Sequence, residues 1–182
     1  MPTVTLLEKV YGPFFVGIFE PVFSSLCKGL KVQVKVVGKT DHNWVKVEVL
    51  GEDETVALRY LDQKFGLAPA SVDEVKKFST VKGRIVASER NEGNGLQVDI
   101  GISSPRFHGA FVPLETLRAQ FADGKNLLFR QMVNSFCLYE NLPIKIKMVS
   151  NIENEKWVRA EFSEGHLSQF ARWLHAYIDR LI

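Results

Sequence analysis

The chain is poor in most features that would announce a chemistry. Among its 182 residues there are two cysteines and four histidines. Cys27 and Cys137 stand far apart, each among apolar neighbours, so a disulfide framework is excluded and buried free thiols of a reducing compartment are expected. His42, His108, His166 and His175 form no H-x-x-x-H pair, and no cysteine stands at metal-ligand spacing, so no metal site is expected. No nucleophile elbow is present. A Cys–His or Ser–His set drawn from distant positions stays open, but no catalytic residue and no cofactor is assigned. No apolar run approaches the roughly 18 residues of a membrane span, and the first residues lack a signal-peptide pattern; no membrane association and a cytoplasmic location are expected. The net charge of +2 is too small to argue for a polyanionic partner. There is no internal repeat and no low-complexity segment.

What the chain does have is the composition of an ordinary globular protein, 46% hydrophobic and 24% charged, and clear periodicity. Thr3–Leu7 alternates and reads as a strand. Phe14–Leu26 is apolar at helical spacing, with Pro21 predicting a kink and Gly29 a stop. Lys31–Val36 and Trp44–Val49 alternate around a polar link and form a hairpin. Val56, Leu58, Leu61 and Phe65 mark a helix ending at Gly66, and Ser71–Lys77 reads as a short helix. The order through Phe65 is β-α-β-β-α. Ser79-Thr80 is the expected junction, giving an N-terminal domain over residues 1–79.

Five short strand-like pieces follow, beginning at Lys82-Gly83-Arg84-Ile85-Val86 and ending at Trp157–Phe162. They predict a small closed barrel over residues 80–163, interrupted by a helical insertion over 113–141. Residues 164–182 form a closing helix. Glu89–Gly95 is a hairpin turn; it joins strand to strand, whereas phosphate loops feed a helix. The fold class is α+β.

Four constellations remain. Lys145 and Lys147 share the outer face of one strand, and with Lys82, Arg84 and Arg159 they form either a basic stripe for a phosphate backbone or an ordinary solvated face. Arg106, Phe107 and His108 form either a stacking and phosphate-contact corner or a barrel plug beside a turn. Phe111 divides evenly between core and surface. Asp99 and Glu161 are the carboxylates an enzyme would use, although Asp99 also suits a turn. Finally, Leu167, Phe170, Leu174, Ile178 and Leu181 form an apolar seam on the last helix. The seam either packs on the chain's own N-terminal domain or pairs two copies in a homodimer.

On the elements Gly83–Val86, Val98–Gly101, Gly109–Val112, Pro143–Val149 and Trp157–Phe162, residues about 80–163 resemble the ribosomal S-one-type RNA-binding OB domain. That resemblance implies a non-catalytic RNA-binding or ribosome-associated role. One departure is plain: the second strand, Leu96–Ile102, lacks the aromatic residues on which that family stacks bases. The Tyr60–Pro69 segment makes the whole chain similar to an uncharacterised archaeal family in which a small α+β domain precedes such a barrel. The expected partner is therefore RNA or the ribosome, with a protein-interaction or homodimerisation module as the alternative and a nucleic-acid-processing enzyme behind both.

Overall fold

The structure, a computed structural model, describes residues 2–11, 15–86, 94–102, 109–150 and 157–176. Two compact units divide the chain, residues 1–70 and 71–182, each with its own hydrophobic core.

The first unit contains β1 (Thr3–Lys9), α1 (Phe15–Leu26), β2 (Val32–Lys39), β3 (Trp44–Gly51) and α2 (Glu54–Lys64). This is the expected β-α-β-β-α order. The three strands form an antiparallel sheet in the order β1-β3-β2. Alternation sends Val45, Val47 and Val49 into the core, where Phe19 and Phe23 of α1, Cys27 just after it, and Ala57 and Leu61 of α2 cover them. Phe23 meets Phe65 edge-on with ring centroids 5.9 Å apart. Gly66, at φ 84°, takes the left-handed conformation that ends α2. Pro21 lies inside α1 as predicted.

The second unit opens with a short 3-10 turn, Val72–Glu74, where a short helix to Lys77 was expected. Residues 71–79, read from sequence with the first domain, lie in this unit. Val75 is buried in its core, and the Phe78 N–H donates to the Met148 carbonyl at 2.9 Å. Then come β4 (Thr80–Ile85), β5 (Gly95–Asp99), β6 (Gly109–Pro113), α3 (Leu114–Phe121), α4 (Phe129–Phe136), β7 (Pro143–Met148), β8 (Trp157–Phe162) and α5 (Glu164–His175). The five strands close in the order β4-β5-β6-β8-β7, with β7 returning to β4. The β6–β8 pair is parallel and the other pairs are antiparallel. This is the OB-type arrangement, with α3 and α4 as the insertion between its third and fourth strands.

The barrel is filled by Ile85, Leu96, Val98, Ala110, Val112, Ile144, Ile146, Met148, Val158, Ala160 and Phe162. Leu117 of α3 and Met132 of α4 are fully buried in the same core. The Gln120 amide clamps α3 to the end of β8: its Oε1 accepts from the Phe162 N–H and its Nε2 donates to the Phe162 carbonyl, both at 3.0 Å. One amide satisfies two backbone groups where the last strand stops.

Candidate nucleic-acid interface

Period-two alternation decides what each strand shows to solvent. On β4, Gly83 and Ile85 are buried, leaving Thr80, Lys82 and Arg84 on the outer face. On β7, Ile144, Ile146 and Met148 point in, while Pro143, Lys145 and Lys147 point out. The register sets Lys82 opposite Lys145 and Thr80 opposite Lys147. Ladder bonds run from the Ile85 N–H to Leu142 and from the Met148 N–H to Ser79. Lys82 and Lys145 therefore form a non-hydrogen-bonded pair, the kind whose side chains lie closest. Like charges in that position repel.

The remaining cations extend this pair unequally. Arg84 stands opposite Asp99 on β5, and its guanidinium donates to the Asn141 carbonyl at 3.1 Å. Lys147 faces Glu161 across β8 and makes an ion pair with it at 3.4 Å, both side chains about one-third exposed. Arg159 is diagonal to Lys147 and directly opposite Phe111 on β6. The structure therefore brings Lys82, Arg84, Lys145 and Lys147 together. Arg159 belongs to the next row, beyond Glu161.

Phe111 is an outer-face residue. Ala110 and Val112 on either side of it are fully buried, while Phe111 is half-buried. Its ring lies across Gly95 of β5, where a Cβ would come within 2.6 Å of the ring. Trp157, also outward and half-buried, lies over Gly109 of β6, where a Cβ would sit 3.3 Å from its ring. In both places a strand glycine leaves room for a ring to lie against the barrel wall. Gln97, Phe111, Arg159 and Val149 thus form one row across β5, β6, β8 and the end of β7. Trp157 was not singled out in the sequence; its only signal is its place in an alternating strand, two residues before Arg159.

Arg106, Phe107 and His108 lie outside the described residues, as do Ile178 and Leu181. The seam of the last helix reads differently once α5 is placed. Phe170 is 2% exposed, packed edge-on against Phe121 at 5.4 Å and Phe162 at 6.0 Å. Leu167 packs against the same core. The inner side of α5 therefore completes the barrel unit's own core. Leu174 remains 43% exposed and Trp173 36%.

The two carboxylates have structural partners. Asp99 is buried, and its Oδ1 accepts from the Gly101 N–H at 2.9 Å, closing a turn. Glu161 holds Lys147. Among the described residues no group of His, Cys, Asp or Glu side chains is placed to hold a metal ion. Likewise, no helix of the described residues is long and apolar enough to cross a membrane. His166 is buried between Phe162 and Phe170, with ring centroids at 5.9 and 5.1 Å. Its Nε2 has no hydrogen-bond partner among the described residues. Burial first, and the Lys145 charge second, lower its pKa. Burial raises the pKa of the Cys27 thiol, and both cysteines are free.

Residues 3–71 match a family model described as the DUF2110 N-terminal domain. The match covers the first unit and leaves the barrel outside it. No curated protein matches the chain.

Proposed function

We propose that this protein binds single-stranded RNA along the outer face of its barrel, as a non-catalytic accessory of the archaeal cytoplasm with ribosomal RNA as its first candidate target. The observation that carries the reading is the row Gln97–Phe111–Arg159, with Lys147 diagonal to Arg159 and the opposed Lys82 and Lys145 further along β4 and β7. A single strand needs flat rings for its bases and cations for its phosphates, and stacking contributes roughly 1–3 kcal/mol per base. Lys82 and Lys145, opposed on the outer face, are cations that a phosphate could contact. The resemblance of the barrel to the S-one-type domain supports the same surface. Phe111 on the third strand then takes the stacking role that the second strand lacks.

The test is titration of the full chain with labelled ribosomal RNA fragments and with a mixed-sequence single-stranded oligoribonucleotide, at low and physiological salt. Micromolar or tighter binding that weakens steeply with salt is expected. Absence of binding at low salt refutes the proposal.

A homodimer through α5 has narrower support, namely the adjacent exposed Trp173 and Leu174. A Leu174→Asp variant that sediments as a smaller species than the wild type would establish it. A wild type that is monomeric at high concentration removes it.

A further inference from the structure

We infer that Phe78 is a second base-stacking platform, one that fixes where an RNA strand leaves the barrel face. The inference rests on the RNA-binding reading above and adds a residue to it. Phe78 is 65% exposed and sits at the entrance to β4 with φ 67°. Left-handed backbone is uncommon outside glycine, and for a bulky residue it is an outlier that persists only where the surroundings impose it. Asn43, Asp123 and Asn141, also left-handed here, have the short polar side chains that tolerate it. Phe78 does not.

Its conformation is imposed by hydrogen bonds on both sides. The Phe78 N–H donates to the Met148 carbonyl at 2.9 Å, and the Met148 N–H donates to the Ser79 carbonyl at 3.0 Å. The chain thus accepts a strained conformation in order to hold a large apolar ring in water, the reverse of what folding alone favours.

The surroundings specify the ligand. The Lys77 ammonium lies 5.0 Å from the ring centroid and that of Lys147 lies 5.8 Å away. Both ammoniums lie over the ring, so a base that stacks there displaces at least one of them toward its adjoining phosphates. The order β4-β7-β8-β6 separates Phe78 from Phe111 by three strand spacings, roughly 14 Å along the surface at about 4.8 Å each. A single strand crossing β7 and β8 would stack one base on each ring and carry its phosphates past Lys147 and Arg159.

The experiment uses a fluorescently labelled mixed-sequence RNA of about twelve nucleotides, within the range of OB sites. It compares the full-length wild type with Phe78→Asn, Phe78→Trp and Phe111→Ala. Asparagine accepts the left-handed backbone without the ring. Phe78→Asn is expected to weaken binding by roughly 5- to 150-fold, the range for one stacked base. Its salt dependence should match the wild type, because no cation is removed. Its thermal midpoint should be equal or higher, because strain is relieved. Phe78→Trp should bind at least as tightly as the wild type. If the wild type does not bind, both this inference and the proposed function fall. If the wild type binds and Phe111→Ala weakens binding while Phe78→Asn does not, the Phe78 inference alone falls. It falls too if a duplex of the same sequence binds as well as the single strand, or if Phe78→Asn lowers the midpoint by many degrees.

Discussion

Truncating Phe170 to alanine separates a core residue from a subunit contact. The ring is 2% exposed and meets Phe121, Phe162, His166 and Trp173 at centroid distances of 5.4, 6.0, 5.1 and 5.3 Å. A buried phenylalanine reduced to alanine costs roughly 3–5 kcal/mol through lost burial and the cavity left behind. A 12-residue helix such as α5 is marginal without its packed face, so little compensation by rearrangement is expected. For a unit of this size that corresponds to a midpoint lowered by roughly 10–20 °C. Leu174→Ala, one turn on and 43% exposed, should change stability by no more than about 0.5 kcal/mol. Urea and thermal unfolding followed by tryptophan emission measure both variants, and Trp173 reports directly because its ring packs on Phe170. Sedimentation of each variant completes the comparison. A Phe170→Ala protein that unfolds at the wild-type midpoint but sediments as a smaller species would refute the reasoning, because the ring would then serve a partner rather than the barrel.

Three further outcomes follow from the same geometry. Replacing Lys145 and Lys147 together by glutamate should weaken RNA binding and flatten its dependence on log salt by about 1.4, at roughly 0.7 per phosphate contact for single strands; an unchanged slope removes both lysines from the interface. Gly95→Ala would place a methyl 2.4 Å from the Val112 carbonyl oxygen and 2.6 Å from the Phe111 ring. A loss of about 1–3 kcal/mol in thermal unfolding and weaker RNA binding are both expected, and a neutral result would mean the ring does not lie on Gly95. His166 has a pKa below its ordinary 6.5, so the unfolded chain takes up a proton that the folded chain resists. Its contribution is complete above about pH 6.5 and lost as pH falls through the folded pKa, by at most ~1.4 kcal/mol per pH unit. Stability measured from about pH 7 to 5 should decline less steeply in His166→Phe than in the wild type, and equal slopes would refute the assignment.

Local patterns made the strands and helices legible, because a two-residue or 3.6-residue period is a property of neighbouring positions. Lys145, Ile146 and Lys147 announce an amphipathic strand whatever surrounds them. Phe111 does not: alternation shows that it opposes Ala110 and Val112, but only barrel closure decides which of the two faces is inside. Phe170 shows the same limit on a helix, where the seam was visible and the surface it meets was not. The pairing of Lys82 with Lys145 and of Lys147 with Glu161 depends on the registers of two strand pairs, one of which joins the barrel's first strand to its fourth. Phe78 was hidden for a different reason. It follows Ser71–Lys77, which reads as a short helix, and its backbone conformation opposes the preference of its own side chain, so nothing local could announce it.

The parallel pairing of β6 with β8 has a consequence for how the barrel comes to exist. β8 lies between β6 and β7, and all of α3, α4 and β7 must be made before it. Until Trp157–Phe162 is in place, β6 and β7 are both open edges, with unpaired backbone groups ready to accept any strand. Bringing β8 to β6 also closes a long loop, from Gly109 to Trp157, a step whose entropy cost no local contact offsets in advance. A barrel lacking β8 would therefore carry two open edges. The Gln120 amide that clamps Phe162 is the latch that ends this exposure.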